Sequence, residues 1–142
     1  MKWVIDASVA AKWFLPPQDE QRVLEALSLL QGYKDGKVQF VVPDLFWAEF
    51  GNILSKAVRR GRCSRKLGED SIEESRAQAV VTVSSEGLLS DAFKIANDFG
   101  RSFYDSLYVA LAVAARVRLV TADEKLVNAL AGRLPVTWLG AL

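Results

Sequence analysis

The sequence predicts an α/β fold, with a mostly parallel central sheet flanked by helices, and three features carry that prediction. Short apolar runs rich in β-branched residues alternate with longer stretches of helical character along the chain. No strong hairpin turn joins two of those runs, so successive strands are expected to be linked by crossover helices. The first run, Lys2-Trp3-Val4-Ile5-Asp6, ends on a carboxylate and passes directly into helix-forming residues. In open parallel sheets ligands gather beyond the carboxyl ends of the strands, near the point where strand order reverses. Asp6 stands at such an end, where an unpaired charge is costly to keep.

Taken in order, residues 7–15 after the first strand read as a short helix stopped by Pro16-Pro17. A second helix starts near Asp19, carries Val23, Leu24, Leu27, Leu29 and Leu30 as its apolar stripe, and ends near Gly32. Asp35-Gly36 is a turn signal before the second strand, residues 38–42. Asp44 is placed to cap a helix over residues 45–60 that Gly61 ends. Residues 65–78 form a polar helix, and the apolar residues 79–83 a third strand. Ser84 or Ser85 caps a helix over residues 86–99 that stops at Gly100. Ser102 and Asp105 have capping-box spacing at the head of an Ala-rich helix to residue 115, apolar nearly all round and therefore expected to be central. Residues 118–121 are the fourth strand; residues 121–124 repeat the capping-box spacing before a helix to residue 130, and residues 135–139 are an edge strand.

At 142 residues the chain is read as one domain, residues 1–142. A net charge of +1 argues against a uniformly basic nucleic-acid coat but leaves local patches open. The single Cys63 excludes an internal disulfide and fits a reducing compartment. Histidine is absent, which removes His-based acid–base catalysis, His-containing triads and the common zinc sites. Any metal site must therefore be oxygen-based, which points to Mg²⁺ or Mn²⁺. Asp6 and Lys12 interrupt any signal-peptide core, and residues 107–115, the longest apolar stretch, fall far short of a membrane span, so the expectation is a cytoplasmic protein with no membrane contact.

Four acids occupy comparable places: Asp6 after strand one, Glu49 one turn into the helix after strand two, Asp105 at the start of the Ala-rich helix, and Asp123 after strand four. On a parallel sheet these open on one edge. Gathered there they repel one another, a cost that a divalent cation removes. Such ions activate water and stabilise the leaving oxygen in phosphodiester cleavage. Taken singly, Asp123 is better explained as a helix cap, and Asp105 could be one. Glu49, among apolar neighbours, is harder to dismiss though a salt bridge could explain it, and Asp6 is the hardest to explain as structure alone.

The ordered set of segments around these acids resembles a PIN-domain ribonuclease, of the VapC toxin type found in VapBC toxin–antitoxin pairs. The matching stretches are Val4-Ile5-Asp6-Ala7-Ser8-Val9, residues 43–54 around Glu49, Tyr104-Asp105-Ser106-Leu107-Tyr108 with the four residues that follow, and Leu119-Val120-Thr121-Ala122-Asp123 with residues 124–126. The resemblance covers nearly the whole chain and implies a single PIN-like domain and a Mg²⁺- or Mn²⁺-dependent endoribonuclease. It places the family's catalytic and metal-binding acids on Asp6, Glu49, Asp105 and Asp123, and supporting polar positions on Ser8, Asn52 and Thr121. It also implies a cognate VapB-like antitoxin and a homodimer. Trp13, Phe14, Phe46, Trp47 and Phe50 crowd the helices near the site and are expected to be mostly core, while any exposed subset would form an apolar groove for an antitoxin segment.

For the RNA substrate, Arg59, Arg60 and Arg62, with Arg65 and Lys66, form a local basic cluster, and Lys12 stands close to Asp6. A solvated helix end, where cations suit the dipole, is the favoured explanation of the cluster. Three other functions compete. One is a catalytically silent PIN scaffold that binds RNA or a protein partner. A phosphotransfer domain is disfavoured, in its phosphatase form, by Ser8 where a second Asp is required. A structure-specific DNA nuclease is disfavoured by the lack of long substrate-clamping insertions.

Overall fold

Trp3, Val4 and Ile5 are buried, as an apolar run covered on both sheet faces requires, and they form β1 (Lys2–Ile5). The computed structural model describes residues 1–142. β1 is the central strand, paired on one side with β2 (Gln39–Pro43) and on the other with β4 (Arg118–Thr121). β3 (Val81–Val83) extends the sheet beyond β2, and β5 (Val136–Trp138) beyond β4, giving the order β3-β2-β1-β4-β5. All four pairings are parallel. The chain winds outward from β1 to β3, then returns to lay β4 against β1. The crevice at the carboxyl ends of β1 and β4 is therefore the switch point of the sheet.

Seven helices connect and cover the strands: α1 (Ala7–Ala11), α2 (Val23–Lys34), α3 (Leu45–Arg59), α4 (Arg65–Ala77), α5 (Leu89–Phe99), α6 (Phe103–Ala115) and α7 (Glu124–Leu130). α6 is the central helix its composition predicts: Ser106 through Ala112 are all buried, and it packs against α5, β1, β2 and β4. Phe40, Phe50, Ile5, Leu119 and Leu130 are the largest fully buried side chains. Each such burial stabilises the fold by about 1.5–3 kcal/mol.

Several boundaries differ from the sequence reading, each for a local reason. α1 stops at Ala11 because the backbone tightens, with Trp13 N and Phe14 N bonding to Ala10 O and Ala11 O. α2 begins only at Val23, since Arg22 is left-handed (φ 59°), and it runs past Gly32 to Lys34. Gly32 is there for close packing: a Cβ would stand 2.8 Å from Val38 Cγ2. β3 starts at Val81 because Ala79 also takes a positive φ (52°). Asp44 does not cap α3; its carboxylate accepts the Ser85 hydroxyl and ties the ends of β2 and β3 together. The α7 cap is Asp123, whose Oδ1 accepts Leu126 N at 3.2 Å, and not Thr121. β5 is an edge strand as expected, though it ends at Trp138.

Candidate active site

Asp6 follows β1 at the switch point and is the N-cap of α1, with extended backbone. Its Oδ1 accepts the backbone N–H of Ser8 at 3.0 Å and of Val9 at 3.3 Å, and also the Ser8 hydroxyl. The buried Thr121 hydroxyl approaches the same carboxylate from the end of β4 and accepts Asp123 N at 3.0 Å. Burial pushes the Asp6 carboxyl above its ordinary range, helped by the charge of Asp105; the Ser8 and Thr121 hydroxyls and the Val9 N–H oppose that rise.

Glu49 lies on α3, half-buried, and its Oε1 accepts the Tyr108 hydroxyl at 2.6 Å. Burial raises its carboxyl first, the Tyr108 donor pulls it back, and the charges of Asp6 and Asp105 raise it further. Asp105 sits in the first turn of α6, held by its backbone N–H to the N-cap Ser102 Oγ at 3.0 Å. It too is raised, chiefly by burial, with Ser102 opposing, Asp123 adding and Arg101 opposing. Tyr108 is pushed far up by burial and by donating to Glu49.

All four acids, together with Ser8 and Asn52, line one cleft of about 220 Å³. None of the four takes part in a salt bridge within the protein. The donors are carboxylate, amide and hydroxyl oxygens, which suit a hard divalent cation. As the side chains stand, no three acids converge on one point. That still fits Mg²⁺, which usually keeps several waters and takes one or two carboxylates plus substrate phosphate. Asp6, Glu49 and Asp105 are raised by burial and by neighbouring acids, and none of the four acids has a salt-bridge partner in the chain, so the residues present fit such an ion.

Two of the proposed RNA contacts are engaged elsewhere. Lys12 is buried and pairs with Glu20 at 3.3 Å, and Arg62 pairs with the other oxygen of the same carboxylate. Glu20 thus ties the end of α1 to the turn between α3 and α4. Arg65 pairs with Glu69 and Lys66 with Asp70, while Arg59 donates to Ser55 Oγ. Of the cluster, Arg59 and Arg60 stay exposed without a carboxylate partner. The aromatic side chains near the site are largely core, and Trp13, Phe14 and Trp47 are the part-exposed ones. Phe46 and Phe50 are core and stack on each other; Phe14 packs on Phe50, and Trp13 stacks on Phe40 while its indole donates to Ala26 O.

Tyr108 is the cleft residue the sequence reading passed over. Its signal was a polar atom three positions after Asp105, on the same face of an otherwise apolar helix.

The PIN domain family model matches residues 3–130. Ribonuclease VapC3 of Pyrobaculum aerophilum is 32% identical over 128 residues, covering 89% of this chain and 92% of that protein. Among solved structures, the crystal structure of PAE2754 from Pyrobaculum aerophilum superposes with a TM-score of 0.72 at 20% identity, covering 99% of this chain and 85% of that one. A toxin–antitoxin complex from Klebsiella pneumoniae gives 0.64 at 15% identity, with 95% of each chain covered. VapBC2 from Rickettsia felis, bound to a DNA fragment from its promoter, gives 0.64 at 12% identity, with 97% and 98% covered.

Proposed function

The chain belongs to the PIN-domain family, and from that premise we propose that it is a Mg²⁺- or Mn²⁺-dependent endoribonuclease, the toxin of a toxin–antitoxin pair. The observation that carries this reading is the set of four carboxylates facing one cleft at the switch point with no cation of their own. Asp6, Glu49, Asp105 and Asp123 would hold the ion. When bound, it offsets their repulsion, activates water and stabilises the leaving oxygen of an RNA phosphodiester.

The chain's own residues orient that machinery. Ser8 and the Val9 N–H fix the Asp6 carboxylate from α1, and the buried Thr121 hydroxyl at the end of β4 favours its charged form. Tyr108 fixes Glu49. Asn52, exposed one turn beyond Glu49 on α3, offers its amide to the substrate at the cleft mouth. Asp123 is bound to the α7 backbone as its cap through Oδ1.

The named relatives support a VapB-like antitoxin partner. Phe93 and Leu89 on α5 and Tyr104 and Val113 on α6 are exposed apolar side chains, suited to an antitoxin or to a homodimer. No helix is long and apolar enough to cross a membrane, and we read the protein as cytoplasmic.

The test is cleavage of a structured RNA pool with Mg²⁺ or Mn²⁺ against EDTA, with Asp6→Asn alongside. Metal-dependent cleavage lost in the variant supports the reading; cleavage retained by Asp6→Asn removes Asp6 from the site. A second reading, a silent scaffold that binds RNA or a partner, draws on the acids not converging in threes. Calorimetric Mn²⁺ titration separates the two, because a scaffold without a metal site gives no binding heat.

A further inference from the structure

Six of the ten arginines have no carboxylate partner, and three of those six, Arg116, Arg118 and Arg133, line a single recess of about 410 Å³. The recess lies at the end of the sheet opposite the acids. Arg118 opens β4, and Pro135 immediately precedes β5. Its remaining lining, including Val117 and Leu134, is apolar, and no acid borders it. Three guanidinium groups gathered without an anion repel one another, and no carboxylate of the chain offsets that repulsion.

Two of the three guanidinium groups are also held in place. Arg118 donates Nε to Thr137 Oγ1 at 2.7 Å and Nη2 to Val136 O at 2.6 Å, which fixes the plane of its guanidinium and leaves Nη1 open. Arg133 stands over the Phe99 ring at 5.8 Å, held by cation–π attraction. Arg116 ends α6 in the left-handed conformation (φ 57°), a position where glycine is favoured, as Gly100 is at the end of α5. An arginine side chain is kept there against a backbone cost that glycine would not carry. The negative end of the α6 dipole is muted, because Arg116 N and Val117 N cover the last carbonyls.

We propose that this recess binds phosphate groups, those of the RNA backbone beyond the cleavage point. Arginine is the residue suited to planar, two-pronged phosphate contact, and fixed arginines lose less freedom on binding. The RNA assignment rests on the ribonuclease reading above; the phosphate chemistry does not. At about 3.3 Å per residue along β4, the recess and the acids are at least about 10 Å apart. A substrate reaching both must extend several nucleotides from the cleft.

The experiment uses the full chain in EDTA, so that binding is read without cleavage. A labelled single-stranded RNA of about 20 nucleotides is titrated by anisotropy from about 50 to 200 mM salt, with wild type against Arg116→Gln/Arg133→Gln, and inorganic phosphate is titrated by calorimetry in parallel. The expected result is a salt slope shallower by about 1.4 in the variant, from two lost phosphate contacts, with affinity at low salt reduced several-fold. An unchanged slope with phosphate binding lost in the variant keeps the phosphate site and assigns it to a free phosphorylated ligand. Equal behaviour of both proteins with both probes overturns the proposal. If neither protein binds RNA, the ribonuclease reading fails while the phosphate arm still decides the recess. Circular dichroism checks folding, and Arg116→Gln alone serves if the double variant unfolds.

Discussion

Replacing Tyr108 by Phe isolates the one hydrogen bond between α6 and the Glu49 carboxylate. Hydrogen bonds to charged groups contribute about 1.5–3 kcal/mol. Tyr108 is buried, but Glu49 opens on the cleft, where water can replace the lost donor, so the lower figure, about 1.5 kcal/mol, applies. For 142 residues the unfolding entropy is about 0.3 kcal/mol per kelvin, and Tm should fall by about 5 °C. The donor favours ionised Glu49, so its removal lifts an already raised carboxyl further. Raised folded-state carboxyls contribute stability that is present in acid and lost as pH rises through the folded value. The Tm deficit of the variant should therefore be full near pH 7.5 and shrink towards pH 4. The acid limb of the pH–rate profile should move to higher pH. Thermal melts across pH and single-turnover cleavage read both effects. A deficit equal at both pH values would mean lost packing and refute the charge-assisted bond, as would a double-mutant cycle with Glu49→Gln showing no coupling.

The same sign argument gives Asp6→Asn a gain. In EDTA at neutral pH the variant should melt above wild type, because a burial-raised carboxyl is ionised there at a cost, and the advantage should vanish below about pH 4. Asparagine keeps the cap, so folding is not at risk. Saturation with Mn²⁺ at about 100 times Kd should raise wild-type Tm by about 9 °C, from about 2.7 kcal/mol of linkage, and the same titration should leave Asp6→Asn unmoved. Glu20→Gln strands the buried Lys12 ammonium, and breaking such a pair costs about 3 kcal/mol, or about 10 °C in a melt. Lys12→Met should cost less than Glu20→Gln; the reverse order would show that the network is not organised around Glu20.

Much of this arrangement was legible from sequence because parallel strands buried on both faces read as unbroken apolar runs, which is what residues 3–5, 40–42 and 119–120 are. Asp6 was legible for a related reason: a charge at the end of such a run has few structural uses. The missed features depend on partners distant in the chain. Asp44 looked like a cap, and only the fold brings it to Ser85. Thr121 has cap spacing too, but its hydroxyl turns to Asp6 across the sheet. Lys12 and Arg62 read as free cations because Glu20 lies 8 and 42 residues away from them. The left-handed Arg22, Ala79 and Arg116 carry no glycine to announce the turn.

The same local geometry explains why Asp6 is both the most and the least expendable residue of the cleft. Its carboxylate caps α1, lies beside Thr121 of β4, and is raised by burial and by the charge of Asp105. An amide would serve the cap and the β4 contact equally well and would escape the cost of a buried charge. A carboxylate at this position is therefore explained by nothing in the fold. What it provides, and an amide does not, is a full negative charge at the switch point, beside Glu49 and Asp105. A stability gain from Asp6→Asn together with a loss of Mn²⁺ response would place that charge in the site's chemistry and not in its scaffold.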